Sequence, residues 1–414
     1  MHAAIGPAGL LLNERRTLYQ LAVELLEPDR PALDLDVVDS PVARGHIGDV
    51  LAGRAPLRHC ELVGISAMTS DGTTTPELQV AARPMAGAML AGPLDTVALE
   101  LGRQGVAPGS VQLLTEADGE RFLSAVGMLA DGTALARSVN PELIDDLLAH
   151  VALVGMVNPL PEGKLVSASC RAYPGLILLE ARSSIGVAEA LVHEGAHQKL
   201  FDLAITHDLL SVDSDRCPPF HPSWAPEGHV WSMEQTLAAC HAYACLARFA
   251  QDAGVGSSAA TEAPVVGEHS LLPVAAERCV IIGQWLLGHS DHLGPDARVL
   301  LGHLLGRSPR TAWRPTPTNP AAVAGDYAVI DPVLTFRRCG STDRVLVGCA
   351  TRPPQLYWLG EDAAALLELL GHQPFETVLN AFAQRWSIPR SDAGGRLAVL
   401  LSELSESGLV TALP

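Results

Sequence analysis

Aromatic side chains are scarce, at 4% of 414 residues. The core is therefore filled by Ala, Leu and Val, and a hydrophobic share of 48% supplies ample material to bury. Cys-x-x-Cys pairs are absent. The eight cysteines stand apart at 60, 170, 217, 240, 245, 279, 339 and 349. That scatter excludes a disulfide-stapled scaffold or a Cys-pair zinc site, and reads as idle thiols in a reducing compartment. Long apolar runs are missing too: no stretch approaches the ~18 uninterrupted apolar residues of a membrane span. The opening "MHAAIGPAGLLLNERRTLYQ" has no basic segment before its short apolar run, so no signal peptide is expected. Positive charge is short, with 28 Lys and Arg against 46 Asp and Glu and a net charge of −18. Nucleic-acid binding needs a basic face and gains no support from this balance. The expectation is a soluble, cytoplasmic protein with no membrane or nucleic-acid partner, toward which a cationic peptide would be steered.

The length suits two or three domains. Residues 11–26 carry apolar positions at helical spacing. So do 85–105, 119–135 and 140–157, Ala- and Leu-rich stretches broken by Gly and Pro that read as scaffold helices. After a Pro-Gly turn signal, "PGLILLE" at 174–180 is a short continuous apolar run and predicts a buried strand. A helix follows from Ile185 to about Ile205, capped by Ser183 or Ser184. A Pro- and Asp-rich loop spans 211–229, a second long helix runs from Ser232 to Phe249, and further helices are expected near 271–288 and 296–306. Residues 308–332 hold five prolines without periodicity, the signature of a linker. Beyond it, "VLTFRRCG", "RVLVGCAT" and "QLYWLG" read as three strands, and 361–371, 374–386 and 391–410 as three helices. The first domain expected is a mostly α-helical catalytic one with a few strands at 1–307. Its helical N-terminal stretch, residues 1–160, either stands apart or packs with the rest. A linker at 308–332 and a small α+β domain of winged helix-turn-helix type at 333–414 complete the division.

The first long helix carries "LVHEGAH" at 191–197. Residues four apart lie above one another on a helix, so His193 and His197 can donate to one metal ion without distorting the backbone. Glu194, beside them, can reach a metal-bound water. The plain alternative is two ordinary histidines, but the motif falls on a helix that follows a strand. A third ligand must come from downstream, where the candidates are His207, His221, His229, Glu234 and His241. Glu234, His241 and Arg248 recur every seven residues and share one face of the second helix. Buried polar groups need partners, and a metal with its substrate would supply them; His241 is preferred and Glu234 comes next. No metzincin extension is present, because "QKLFDLAITHD" after His197 lacks its Gly and third His.

The stretch "PGLILLE…VAEALVHEGAHQKLFDL", with the Trp-Pro loop "HPSWAPEGH" and an alanine-rich helix, resembles the HExxH-type proteins that modify ribosomally made peptides. These are understood as iron- and 2-oxoglutarate-dependent peptide β-hydroxylases. The likeness covers about 165–250: His193 and His197 match the metal-binding histidines, and Lys199 and Leu200 match a His-x-Lys-Leu continuation. Gly195 and Ala196 depart from the bulky residue and Gln usual inside the motif. The segment 333–414 is similar to PqqD-like domains, also called RiPP recognition elements, which bind a precursor's leader peptide as an added strand. Its seven arginines, with no lysine and no concentrated basic helix, argue against a DNA-binding winged helix.

The resemblance implies Fe(II) on His193, His197 and His241, with 2-oxoglutarate as co-substrate. Its carboxylate calls for a bidentate arginine; Arg248 is the candidate, with Lys199 and Arg182 behind it. Glu194 would then orient a ligand or bond a metal-bound water rather than act as a base. A zinc peptidase trimming the same peptides is the first competitor, with Glu194 deprotonating a zinc-bound water. A non-catalytic leader-binding protein is the second.

Overall fold

The computed structural model describes residues 7–29, 32–56, 78–82, 112–158, 167–255, 270–306, 327–329, 334–338, 344–351, 354–370 and 373–412. Helices take 60% of these and strands 14%, a mainly α composition with small sheets. The stretch 85–105 and most of 308–332 lie outside the described residues. No described helix is long and apolar enough to cross a membrane.

The chain divides into two units. The first takes residues 1–16, 33–49 and 57–310; the second takes 17–32, 50–56 and 311–414. Residues 17–32 and 50–56, which the sequence places with the N-terminal stretch, thus group with the C-terminal segment.

The first unit contains the start of α1 (Ala8–Leu26), α2 (Leu35–Asp39), most of α3 (Pro41–Leu51), α4 (Glu120–Val139), α5 (Pro141–Leu148), α6 (Ser184–Thr206), α7 (Met233–Asp252), α8 (Ala275–Gly288) and α9 (Pro295–Leu304). Its sheet has three strands: β1 (Leu153–Met156), β2 (Ser167–Ser169) and β3 (Leu176–Leu179). β3 is central, parallel to β1 and antiparallel to β2. The expected helix over 140–157 is corrected here, because it ends at Leu148 and "LVGM" is the strand β1. Its four residues are all buried, and a short, wholly apolar run does not declare its period.

α6 is placed by its N-cap and by two glycines. Ser183 accepts a hydrogen bond from Gly186 N at 3.2 Å, as an N-cap should. At Gly195 a Cβ would stand 3.1 Å from Leu147 Cβ, so α5 crosses where the motif lacks a side chain. At Gly132 a Cβ would overlap Val187 Cγ1, which brings α4 onto α6. α7 begins at a full capping box, with Ser232 bonded to Gln235 N and Gln235 bonded back to Ser232 N. α4, α6, α7 and α8 share one apolar core that includes Leu129, Leu191, Leu203, Leu246 and Ile282.

Away from that core, α6 presents a buried polar face. Gln198 accepts from Gly175 N at 2.5 Å and donates to the Leu176 carbonyl at 3.0 Å. Asp202 receives Arg15 Nη1 at 2.6 Å and meets His150 Nδ1 at 2.6 Å. Burial opposes the Asp202 charge, but Arg15, with His150 and Arg44, outweighs it and holds the carboxyl below its ordinary pKa. Arg15 also bonds Asp39 at 2.7 Å.

In the second unit, β5 (Leu334–Arg338), β6 (Arg344–Cys349) and β7 (Gln355–Gly360) form an antiparallel meander in that order. α10 (Glu361–Leu370), α11 (Phe375–Arg385) and α12 (Arg390–Glu406) follow. Val345, Val347 and Cys349 of β6 join Leu366, Phe382 and Leu397 in one core. Residues 17–26 of α1 meet the same meander: a Cβ at Gly348 would lie 2.5 Å from Leu25 Cδ1, and Arg337 bonds Glu24 at 2.5 Å. Two strands were not expected from the sequence. β4 (Tyr327–Val329) lies within the expected linker and pairs antiparallel with β8 (Val410–Ala412). Each has three residues, too few for a period to register.

Candidate metal centre

The spacing of four does what helix geometry requires. His193 Nε2 and His197 Nε2 stand 3.1 Å apart, with ring centroids at 4.7 Å and planes at 76°. Two imidazole nitrogens that share one ion, each bonded at ~2.0–2.1 Å, need a separation of this order. His193 Nδ1 is buried with no hydrogen-bond partner among the described residues. Burial first, and His193 second, push the His197 pKa well below the ordinary imidazole value, toward the neutral form that binds metals. The pair fits a metal ion as two of its ligands.

Among the described residues, no group of three His, Cys, Asp or Glu is assembled for a metal. His241 is buried on α7, and its Nδ1 bonds the carbonyl of Ala196 at 2.9 Å. That bond fixes the tautomer of a typical histidine ligand, with Nε2 as the lone-pair nitrogen. Cys245 Sγ lies 3.9 Å from that Nε2. Glu234 pairs with Arg171 at the surface. His207 follows α6 and meets Thr206 Oγ1 at 2.8 Å. His221 is exposed, and His229 accepts from Trp231 Nε1 at 2.9 Å.

Glu194 is buried, and both its oxygens are engaged. Ser167 Oγ donates to one at 2.8 Å and Ser169 Oγ to the other at 2.6 Å. The register of β2 explains this: Ala168 pairs with Leu178 and is buried in a separate cluster, so the flanking serines share the opposite face.

The expected anion anchors lie elsewhere. Arg248, with 48% of its side chain exposed, pairs with Asp252 one turn on at 2.8 Å. Lys199, 2% exposed, pairs with Asp146 at 2.5 Å. Arg182 pairs with Glu180. The interval of seven does keep Glu234, His241 and Arg248 on one face of α7, but only the middle of that face is covered.

The scarce aromatics converge beside the histidines. Tyr243 meets His193 edge-on, with centroids 6.5 Å apart and planes at 87°. Trp224 lies 6.3 Å from Tyr243, and Trp231, Phe220 and Trp285 continue the cluster. On the other side, Phe201 stacks on His197 at 6.4 Å and 18°. Phe201 also walls an open recess of about 270 Å³ with Leu200, Leu237 and Ala238. Sequence reasoning missed Ser167, Ser169, Tyr243 and Arg278, the last of which bonds Tyr243. The available signals were the Ser-Ala-Ser alternation and the concentration of three of six tryptophans within 224–285.

No family model matches this chain, and no curated protein matches it.

Proposed function

We propose that the first unit hydroxylates a β-carbon in a ribosomally made precursor peptide, with Fe(II) on His193 and His197 and 2-oxoglutarate as co-substrate. The second unit, in this reading, is a PqqD-like winged helix that binds the leader of the same peptide.

One observation carries the choice between oxidation and hydrolysis. In a His-Glu-x-x-His peptidase the glutamate takes a proton from metal-bound water, so its carboxylate must face that water. Here both Glu194 oxygens accept serine hydroxyls from β2. Glu194 then fixes α6 to the sheet and keeps the two imidazoles in register. Bound iron, with 2-oxoglutarate and dioxygen, supplies the oxidant that converts C–H to C–OH. The residues of this chain hold and orient: neutral imidazoles donate, His241 is the proposed third ligand through its carbonyl-fixed tautomer, and the recess behind Phe201 has room for a substrate side chain. In the second unit, β5 and β7 are the outer strands of the meander, and an extended leader can add to such an edge.

The test is reconstitution under anaerobic conditions with Fe(II), 2-oxoglutarate and the precursor peptide, followed by exposure to air and mass measurement. A gain of one oxygen atom that requires all components supports hydroxylation. Cleavage with Zn(II) alone overturns it in favour of the peptidase.

A further inference from the structure

Arg278 differs from most described arginines of the first unit; Arg298, which bonds the Ser290 and Leu293 carbonyls, is another without an ion pair among the described residues. Carboxylates outnumber basic residues 46 to 28, and arginines of the first unit such as Arg15, Arg121, Arg137, Arg171 and Arg248 sit in ion pairs. Arg278 has no carboxylate partner among the described residues. Instead its guanidinium carbon lies 4.8 Å from the Trp224 ring centroid and 5.5 Å from that of Tyr243. Its Nη1 donates to Tyr243 Oη at 2.8 Å.

The chemistry of this arrangement is specific. A guanidinium carries five N–H donors in a planar fork, and one of them is taken by Tyr243. Because Tyr243 Oη accepts that bond, its own O–H proton remains to be donated. Stacking on aromatic faces holds the fork in place, and no carboxylate among the described residues neutralises its charge. The two groups together offer charged and neutral donors to one acceptor, the pattern that suits a carboxylate. Tyr243 is also the residue whose ring meets His193.

We infer that Arg278 and the Tyr243 hydroxyl form a carboxylate-binding subsite, one aromatic ring away from the candidate metal pair. Two sources of that carboxylate fit the chemistry, a small 2-oxo acid or a carboxylate of the substrate peptide. Only the choice between them rests on the hydroxylase reading; the subsite itself does not.

The experiment therefore measures binding with neither iron nor turnover. Tryptophan fluorescence, which reports on Trp224 beneath the guanidinium, follows titration of the full-length protein with 2-oxoglutarate, its dimethyl ester, and the precursor peptide with free or amidated carboxylates. The wild type should bind a carboxylate form saturably and its neutral counterpart at least about tenfold more weakly, as expected on losing a charge-assisted pair. Arg278→Gln should lose about tenfold or more in affinity, Arg278→Lys should recover some of it, Tyr243→Phe should lose a few-fold, and Arg248→Gln should bind like the wild type. A thermal melt of each variant separates lost binding from lost folding, and Arg278→Lys carries the test if Arg278→Gln does not fold. Binding of 2-oxoglutarate identifies the co-substrate as the source, and binding of the free peptide carboxylate alone identifies the peptide. The subsite is overturned if no carboxylate binds the wild type, or if Arg278→Gln, or Arg278→Lys in its place, binds as tightly as the wild type. Failure of hydroxylation with this binding intact would overturn only the reaction, not the subsite.

Discussion

Glu194 is the side chain on which the proposed chemistry turns. A carboxylate that holds two serine hydroxyls does structural work that an amide can largely imitate, since a Gln side chain still accepts from one serine. Glu194→Gln should therefore keep hydroxylation within about tenfold of the wild type, whereas a hydrolase that loses its general base drops by about 10²–10⁴. Product yield against time, measured by mass, distinguishes the two. Removing both donors is worse for folding, because the buried carboxylate is then left unsatisfied. The Ser167→Ala, Ser169→Ala double variant should lose about 2 kcal/mol of stability, readable as a lower Tm. His193 and His197 were legible in the sequence because their geometry is local to one helix. The serines were not, because their meeting with Glu194 depends on the register of β2 against β3. Arg248 shows the opposite failure: periodicity assigned it a face, but periodicity does not say how far along the helix that face is covered.

Among the elements, α6 joins the candidate metal pair to a buried charge cluster, with Asp202 five residues beyond His197. Breaking a buried pair strands partner charge, so Asp202→Asn should cost about 3–5 kcal/mol at neutral pH by taking a buried carboxylate from Arg44 and from Arg15, which keeps Asp39. The sign with pH follows from the lowered Asp202 pKa. Its contribution is present above the unfolded carboxylate value of ~3.9 and is lost as pH falls through the lower folded value. Denaturant midpoints of wild type and variant should thus differ at pH 7 and converge in strong acid. Gly195, which departs from the family-like motif, has a packing reason in the closeness of Leu147 Cβ. Gly195→Val should cost about 1–3 kcal/mol by overpacking and weaken metal uptake as α6 shifts; an unchanged Tm would show that α5 yields freely. Caps, long helices and the hydrophobic strand β3 could be read from the sequence. β1, β4 and β8 could not, since a strand of three or four residues gains its identity from a partner distant in the chain.

In the whole molecule, two units with separate cores divide the proposed labour. If the second unit captures the leader while the first performs the reaction, detaching the leader from its core should raise KM for the core and leave kcat nearly unchanged. Adding the leader back in trans should compete with intact precursor. The scarcity of aromatics becomes informative at this scale. A chain filled mostly by Ala, Leu and Val gathers Phe220, Trp224, Trp231, Tyr243 and Trp285 into one cluster, in which Trp224 and Tyr243 face Arg278 and Tyr243 meets His193. Composition alone carried no hint of that placement.

Isotope labelling with heavy-oxygen dioxygen tests most directly whether this centre oxidises or hydrolyses. One oxygen atom of O2 should enter the peptide as hydroxyl and the other succinate, with carbon dioxide released and no peptide bond broken. Oxygen drawn from water into a newly formed carboxyl terminus, with dioxygen unconsumed, would contradict the hydroxylase and make Glu194 a base after all.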